Sequence, residues 1–228
     1  MSTTPVVEEP EIVAELMVPG ATQIHGVTFD GSLVWCAASP GDVLHAVDPA
    51  TGREAKKLGL DRCASGTAFD GEHLWQIRGE TIDRVDRATG MVLRSIPAPP
   101  GGHHSGLAFA AGALWVGDFD GRAIRKVDPA NGKVLRTVKS DRLVTGVTFV
   151  GADLWHGTYA DEGSTETDDI RAIDPETGAV RRRVRLPAGM HVSGTEFDGK
   201  DRIWFGSELG GKASLRAVTV KKRQSPKV

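Results

Sequence analysis

Gly26-Val27-Thr28-Phe29-Asp30-Gly31-Ser32-Leu33-Val34-Trp35 returns forty residues later as Gly66-Thr67-Ala68-Phe69-Asp70-Gly71-Glu72-His73-Leu74-Trp75. Gly106 and Gly146 open the same phrase at the same interval, and Gly194 opens it again after forty-eight residues. Each copy ends on a tryptophan, so Trp35, Trp75, Trp115, Trp155 and Trp204 all belong to the repeat. A repeat of this length is too short to bury its own apolar faces and must stack on its neighbours. Within it, short alternating runs are separated by Asp-Gly turns and by Asp-Pro-x-x-Gly turns such as Asp48-Pro49-Ala50-Thr51-Gly52. That grammar reads as four antiparallel strands per unit, A to D. Five such units make an all-β chain and a five-bladed β-propeller.

The ring also has to close. The fifth unit ends after a C-like strand, Leu215-Arg216-Ala217-Val218, and residues 221–228 form a polar tail. The missing outer strand appears at the other end, where Ile12-Val13-Ala14-Glu15-Leu16-Met17-Val18-Pro19 matches Val180-Arg181-Arg182-Arg183-Val184-Arg185-Leu186-Pro187. An N-terminal strand at about residues 11–18 is therefore expected to complete the last blade and seal a single domain over residues 1–228, with only short outer edges left.

Composition narrows the function classes. A formal net charge of -2 with 25% charged residues gives no basic field to hold nucleic acid, and no apolar run approaches a membrane span. The partner expected is a small molecule or peptide. Cys36 and Cys63 stand in different units with no metal-motif spacing, and the N-terminus lacks a basic start and an apolar core, which reads as a cytoplasmic protein with free thiols.

The segments leading into strand A and the loops joining strands B and C share one face of a propeller, around the mouth of its central channel. The residues one and three positions before each repeat glycine share a side of an extended chain. His25, Cys63, His103 and His191 are thus expected to converge there, with Ser65, Ser105, Thr145 and Ser193. Three or four such donors suit a divalent transition metal, or a metal-free proton relay. The fourth unit is irregular: Trp155 and Asp174 are nineteen residues apart, against thirteen for Trp35 and Asp48. Its B–C loop, beginning at His156 and including Tyr159, is a candidate lid. The leading reading is an enzyme whose metal ligands are His25, Cys63, His103 and His191, with His156 or Glu208 as base and Tyr159 over the substrate, performing metal-assisted lyase or hydrolase chemistry.

The phrase Gly-Val/Leu-Thr/Ala-Phe-Asp-Gly-x-Leu-Trp with Val-Asp-Pro-x-Thr-Gly resembles the glutamine cyclotransferase family of five-bladed propellers along nearly the whole chain. Its scaffold motifs are also similar to those of NHL-type propellers and of virginiamycin B lyase, a larger propeller. The first resemblance implies release of ammonia from N-terminal glutamine, with a Gln or Glu just before the first two repeat glycines and a Glu there as acid and base. In this chain those positions are His25 and Ser65. The second implies His and Glu around a metal in B–C loops, which His156 and Glu208 loosely match. A glutaminyl-peptide cyclotransferase and a non-enzymatic binding scaffold are the two alternatives.

Overall fold

A computed structural model describes residues 4–220 apart from Glu162, and the tail at 221–228 lies outside the described residues. Five antiparallel sheets follow one another around an axis, and no helix occurs among the described residues. Blade 1 runs through Gln23–Phe29, Val34–Ser39, Val43–Val47 and Glu54–Gly59. Blade 2 has a short inner strand, Thr67–Phe69, followed by Leu74–Arg78, Thr81–Val85 and Val92–Pro97. Blade 3 begins with His104–Ala110 and Ala113–Asp118, and blade 4 with Leu143–Val150 and Asp153–Tyr159. The inner strands of blade 5 are His191–Phe197, Arg202–Leu209 and Lys212–Thr219.

Ile12–Met17 pairs antiparallel with Lys212–Thr219 and completes blade 5, with Leu16 opposite Leu215. The chain ahead of it does more than the sequence suggests. Val6–Glu8 lies parallel to Val180–Arg185 on the outside of blade 4, where the Arg182 guanidinium donates to Glu8 at 2.8 Å. One N-terminal segment therefore ties the outer edges of blades 4 and 5.

The apolar residues divide into five clusters, one at each joint between neighbouring blades. Every repeat tryptophan reaches forward into the next joint: Trp35 toward blade 2, Trp155 toward blade 5, and Trp204 across the closure onto Val27 and Val34 of blade 1. Each indole removes roughly 200 Å² from water, a gross gain of about 5 kcal/mol before entropy is charged against it. The regular spacing of Trp in the sequence is thus the spacing of the joints.

The invariant glycine has a different cause. A Cβ at Gly26 would sit 2.3 Å from the Ser65 carbonyl oxygen, and one at Gly66 would sit 2.6 Å from the Gly106 carbonyl carbon. Gly106 meets the Val147 nitrogen at 2.6 Å, Gly146 the Thr195 nitrogen at 2.2 Å, and Gly194 the Val27 nitrogen at 2.4 Å. The five inner strands therefore touch backbone to backbone in a closed ring, which any side chain would force apart. Gly52 answers the other requirement, a positive φ of 69° in a turn whose first residue, Asp48, accepts from the Ala50 amide at 2.8 Å.

Candidate active site

The glycine ring floors a cavity at the mouth of the channel. The residues immediately before the glycines form that floor: His25, Ser65, Ser105, Thr145 and Ser193. Two connected hollows open above it, of about 200 and 240 Å³, and they share His25, Tyr159 and Ser193. Phe119 and His103 wall the first, while His191 and Glu208 wall the second. That space admits the head group of a small substrate and leaves the remainder outside.

The floor hydroxyls are bonded unevenly. Ser65 donates to the His104 carbonyl at 2.7 Å and Ser105 to the Val144 carbonyl at 2.6 Å, each reaching the next blade. Among the described residues the buried hydroxyls of Thr145 and Ser193 have no partner. They lie against Gly157 and Gly206, which leave room for them by having no side chain.

The long connection of blade 4 is fastened by ion pairs and hydrogen bonds. The Arg142 guanidinium donates to the Thr167 carbonyl at 3.1 Å, Arg183 to Glu166 at 3.1 Å, and Arg122 to Asp161 at 2.6 Å. Beneath it, Asp169 accepts from Arg171 at 2.8 Å and from Arg183 at 2.9 Å. Burial opposes ionisation of Asp169, but the guanidiniums of Arg171 and Arg183 and the Thr158 hydroxyl overcome it and hold the carboxyl below its ordinary range. The expected lid is a tethered wall.

The tether also delivers Asp168, buried at 7% exposure, to the mouth. One of its oxygens accepts from the Ala160 amide at 2.8 Å, closing the loop, and the other lies 2.9 Å from His191 Nδ1. That contact fixes the imidazole and leaves Nε2 for a reacting group. Tyr159 packs against the His191 ring with centroids 5.5 Å apart. Burial, together with the charges of Asp168 and Glu208, raises the phenol above its usual range, so it remains a hydrogen-bond donor. His25 donates to or accepts from Ser39 Oγ at 2.7 Å through Nε2, and burial lowers its affinity for a proton. Among the described residues the Glu208 carboxylate has no ion-pair or hydrogen-bond partner.

His25, His103, His191, Tyr159 and Glu208 therefore share the mouth, and two candidates do not join them. Cys63 is fully buried in the joint between blades 1 and 2, where burial pushes the thiol up to about 11. The parity argument fails there because the inner strand of blade 2 starts only at Thr67, and a bend with Ser65 N donating to the Cys63 carbonyl at 2.8 Å precedes it. His156 lies inside strand B of blade 4, opposite Arg171, and its ring points into the joint with blade 3, 3.5 Å from Ser140 Oγ. Burial and the Arg171 charge lower it to about 4. The extra length of this unit begins after Tyr159, not after Trp155, which is why the tyrosine reaches the mouth and the histidine does not.

The metal expectation meets the same geometry. Among the described residues no three His, Cys, Asp or Glu side chains come together as a ligand set. His25 is engaged with Ser39 and His191 with Asp168, while His103 faces Asp120 on the rim at 3.4 Å. Asp168 and Phe119 are the site residues that the sequence did not single out. Asp168 stands in an acidic run of the long loop, and Phe119 is the one aromatic in a B–C loop outside the long one.

No protein-family model matches the chain, and no curated protein matches it by sequence. Among solved structures it is similar to glutaminyl cyclase from Myxococcus xanthus, with a TM-score of 0.75 at 16% identity over 96% of this chain and 100% of that one. It is also similar to hydrazine synthase from Kuenenia stuttgartiensis, with a TM-score of 0.53 at 18% identity over 86% of this chain and 58% of that one. These likenesses establish the five-bladed fold.

Proposed function

We propose that the channel mouth is an acid–base active site that cyclises an N-terminal glutaminyl residue, releasing ammonia. The observation that carries the reading is the His191–Asp168 contact at 2.9 Å, edge-on to a protonated Tyr159 in a hollow that also holds Glu208. Support also comes from the full-length likeness to a glutaminyl cyclase, although His25 and Ser65 stand where the cyclotransferases carry Gln or Glu.

The reaction needs one proton moved and no oxidant. The substrate's α-amine attacks its side-chain amide carbon, a C–N bond forms, and the C–N bond to the departing nitrogen breaks. His191 Nε2 takes the proton from the attacking amine and returns it to the leaving group, while Asp168 steadies the imidazolium formed in between. The Tyr159 hydroxyl donates to the oxygen that becomes negative in the tetrahedral intermediate. Asp168 thus acts through His191, whereas His191 and Tyr159 touch the reacting atoms.

Glutaminyl dipeptide amides test this by ammonia release and by the mass of the product. Wild type is expected to release ammonia stoichiometrically with the pyroglutamyl product, and Asp168→Asn to lose about 10²–10⁴-fold in kcat/KM. Folded protein that releases no ammonia above background overturns the reading.

A further inference from the structure

The chemistry above leaves one wall of the mouth unused. Four rings form a continuous arc across three blades: His103 and Phe119 with centroids 5.0 Å apart, Phe119 and Tyr159 at 5.7 Å, and Tyr159 and His191 at 5.5 Å. Phe119 is half-buried at the end of strand B in blade 3, and its backbone amide donates to the His103 carbonyl at 2.9 Å, so the ring is held in place over the first hollow. The arc ends in the second hollow beside Glu208.

Glu208, which lines the second hollow, differs from three buried carboxylates of other blades. Asp83 is bound by Arg78 at 2.7 Å, Asp118 by Arg125 at 2.6 Å and Asp169 by Arg171 at 2.8 Å. Among the described residues Glu208 has no such cation, and Arg216 of its own blade is engaged with Ser207 at 2.8 Å and with Glu15 at 2.5 Å. A carboxylate held beside a half-buried aromatic surface, with no cation of its own, complements a ligand that brings the cation and an apolar plane together. Aromatic faces add to the attraction for a cation and accept a second ring edge-on or offset.

We infer that the mouth selects a free N-terminal amine followed by an aromatic residue: the α-ammonium docks on Glu208 and the second residue's ring packs on Phe119. This rests on the mouth being the binding site proposed above, and it names the substrate class. It does not require that bound peptides react. Docking and reaction are successive states, because the ammonium passes its proton to solvent before the neutral amine attacks.

Calorimetric titration with Ala-Phe-amide and Ala-Ala-amide, neither of which can cyclise, separates the two questions. Wild type is expected to bind Ala-Phe-amide roughly threefold to tenfold more tightly than Ala-Ala-amide, in line with one added ring contact. Phe119→Leu, which keeps apolar bulk and removes the ring, is expected to erase that preference and leave Ala-Ala-amide affinity unchanged. Glu208→Gln is expected to weaken both peptides, and N-acetylation of Ala-Phe-amide to weaken it by about tenfold or more on wild type. Equal affinity of wild type for the two peptides, a preference that survives Phe119→Leu, or acetylated peptide binding as well as free peptide would each overturn the inference. If the Phe119-dependent preference is found while glutaminyl dipeptides release no ammonia, the catalytic reading fails and this one stands.

Discussion

The mouth of the channel has two unlike halves. On the side of blades 2 and 3, the floor hydroxyls of Ser65 and Ser105 are spent on neighbouring carbonyls, and the carboxylates Asp83 and Asp118 are each neutralised by an arginine. On the side of blades 4 and 5, among the described residues, the hydroxyls of Thr145 and Ser193 have no partner, Asp168 has no arginine and meets an imidazole and a backbone amide instead, and the Glu208 carboxylate has no partner. At the floor of the mouth the hydroxyls of the regular blades 2 and 3 are paired, and those of blades 4 and 5 are not, among the described residues. Buried or half-buried polar groups without partners cost stability, and in native proteins they concentrate where a ligand or a reaction uses them. Activity is therefore expected on the blade 4–5 side, and stability on the other.

Breaking an arginine–carboxylate pair on the blade 2–3 side should have the largest effect on the fold. Arg125→Met leaves the Asp118 carboxylate, 5% exposed, without its cation, and a loss of about 3 kcal/mol is expected in denaturant unfolding. Retention of wild-type stability would mean that this pair does not distinguish the halves.

A carboxylate in the open half behaves in the opposite sense. Glu196, two residues after Gly194 on the inner strand of blade 5, accepts from Thr28 of blade 1 at 3.1 Å, Thr148 of blade 4 at 2.9 Å and its neighbour's amide at 3.0 Å. Burial raises it to about 7. The folded protein keeps a proton there that the unfolded chain sheds near the ordinary carboxylate value of about 4.3, so its contribution to stability falls as pH rises from there through 7. Glu196→Gln should accordingly stabilise by roughly 2 kcal/mol at pH 8 and by little near pH 4, read from melting curves at the two pH values. Equal effects at both would refute the assignment. His156 runs the other way: the folded protein resists its protonation down to about 4, so acidification below the imidazole value of about 6.5 costs stability.

The contrast between blades recurs at the opposite face of the ring. Asp30 and Asp70 accept from the Trp35 and Trp75 indoles, both at 2.8 Å, but Ala110 and Val150 occupy those places in blades 3 and 4, and among the described residues the buried indole nitrogens of Trp115 and Trp155 have no partners. Ala110→Asp is expected to supply the missing acceptor and to gain about 1 kcal/mol, measured by chemical unfolding. The smallest effect belongs to Glu208→Gln. A carboxylate that holds nothing should change stability by less than about 0.5 kcal/mol while changing amine binding.

The architecture was legible because its causes are periodic. Glycine is demanded at every inner-strand contact and tryptophan at every joint, so both recur with the blades, and the match of Ile12–Met17 to outer strands disclosed the closure. Val6–Glu8 was not legible, since a parallel pairing outside the four-strand unit has no counterpart elsewhere in the repeat. The site was legible only in part. Parity along an extended lead-in placed His25, His103 and His191 at the mouth, and it failed for Cys63 because that lead-in is bent. The added length of the fourth unit pointed to the right loop. It did not reveal that strand B runs on to Tyr159, nor that Asp168 returns to His191 across twenty-three residues.

Ammonia release from glutaminyl dipeptide amides by His191→Gln and His156→Gln, side by side with wild type, tests the central claim most directly. His191→Gln is expected to retain the wild-type melting temperature and lose about 10²–10⁴-fold in kcat/KM, whereas His156→Gln should melt lower yet keep its kcat/KM while folded. Loss of turnover in folded His156→Gln with His191→Gln unimpaired would place the chemistry outside the mouth and contradict the account.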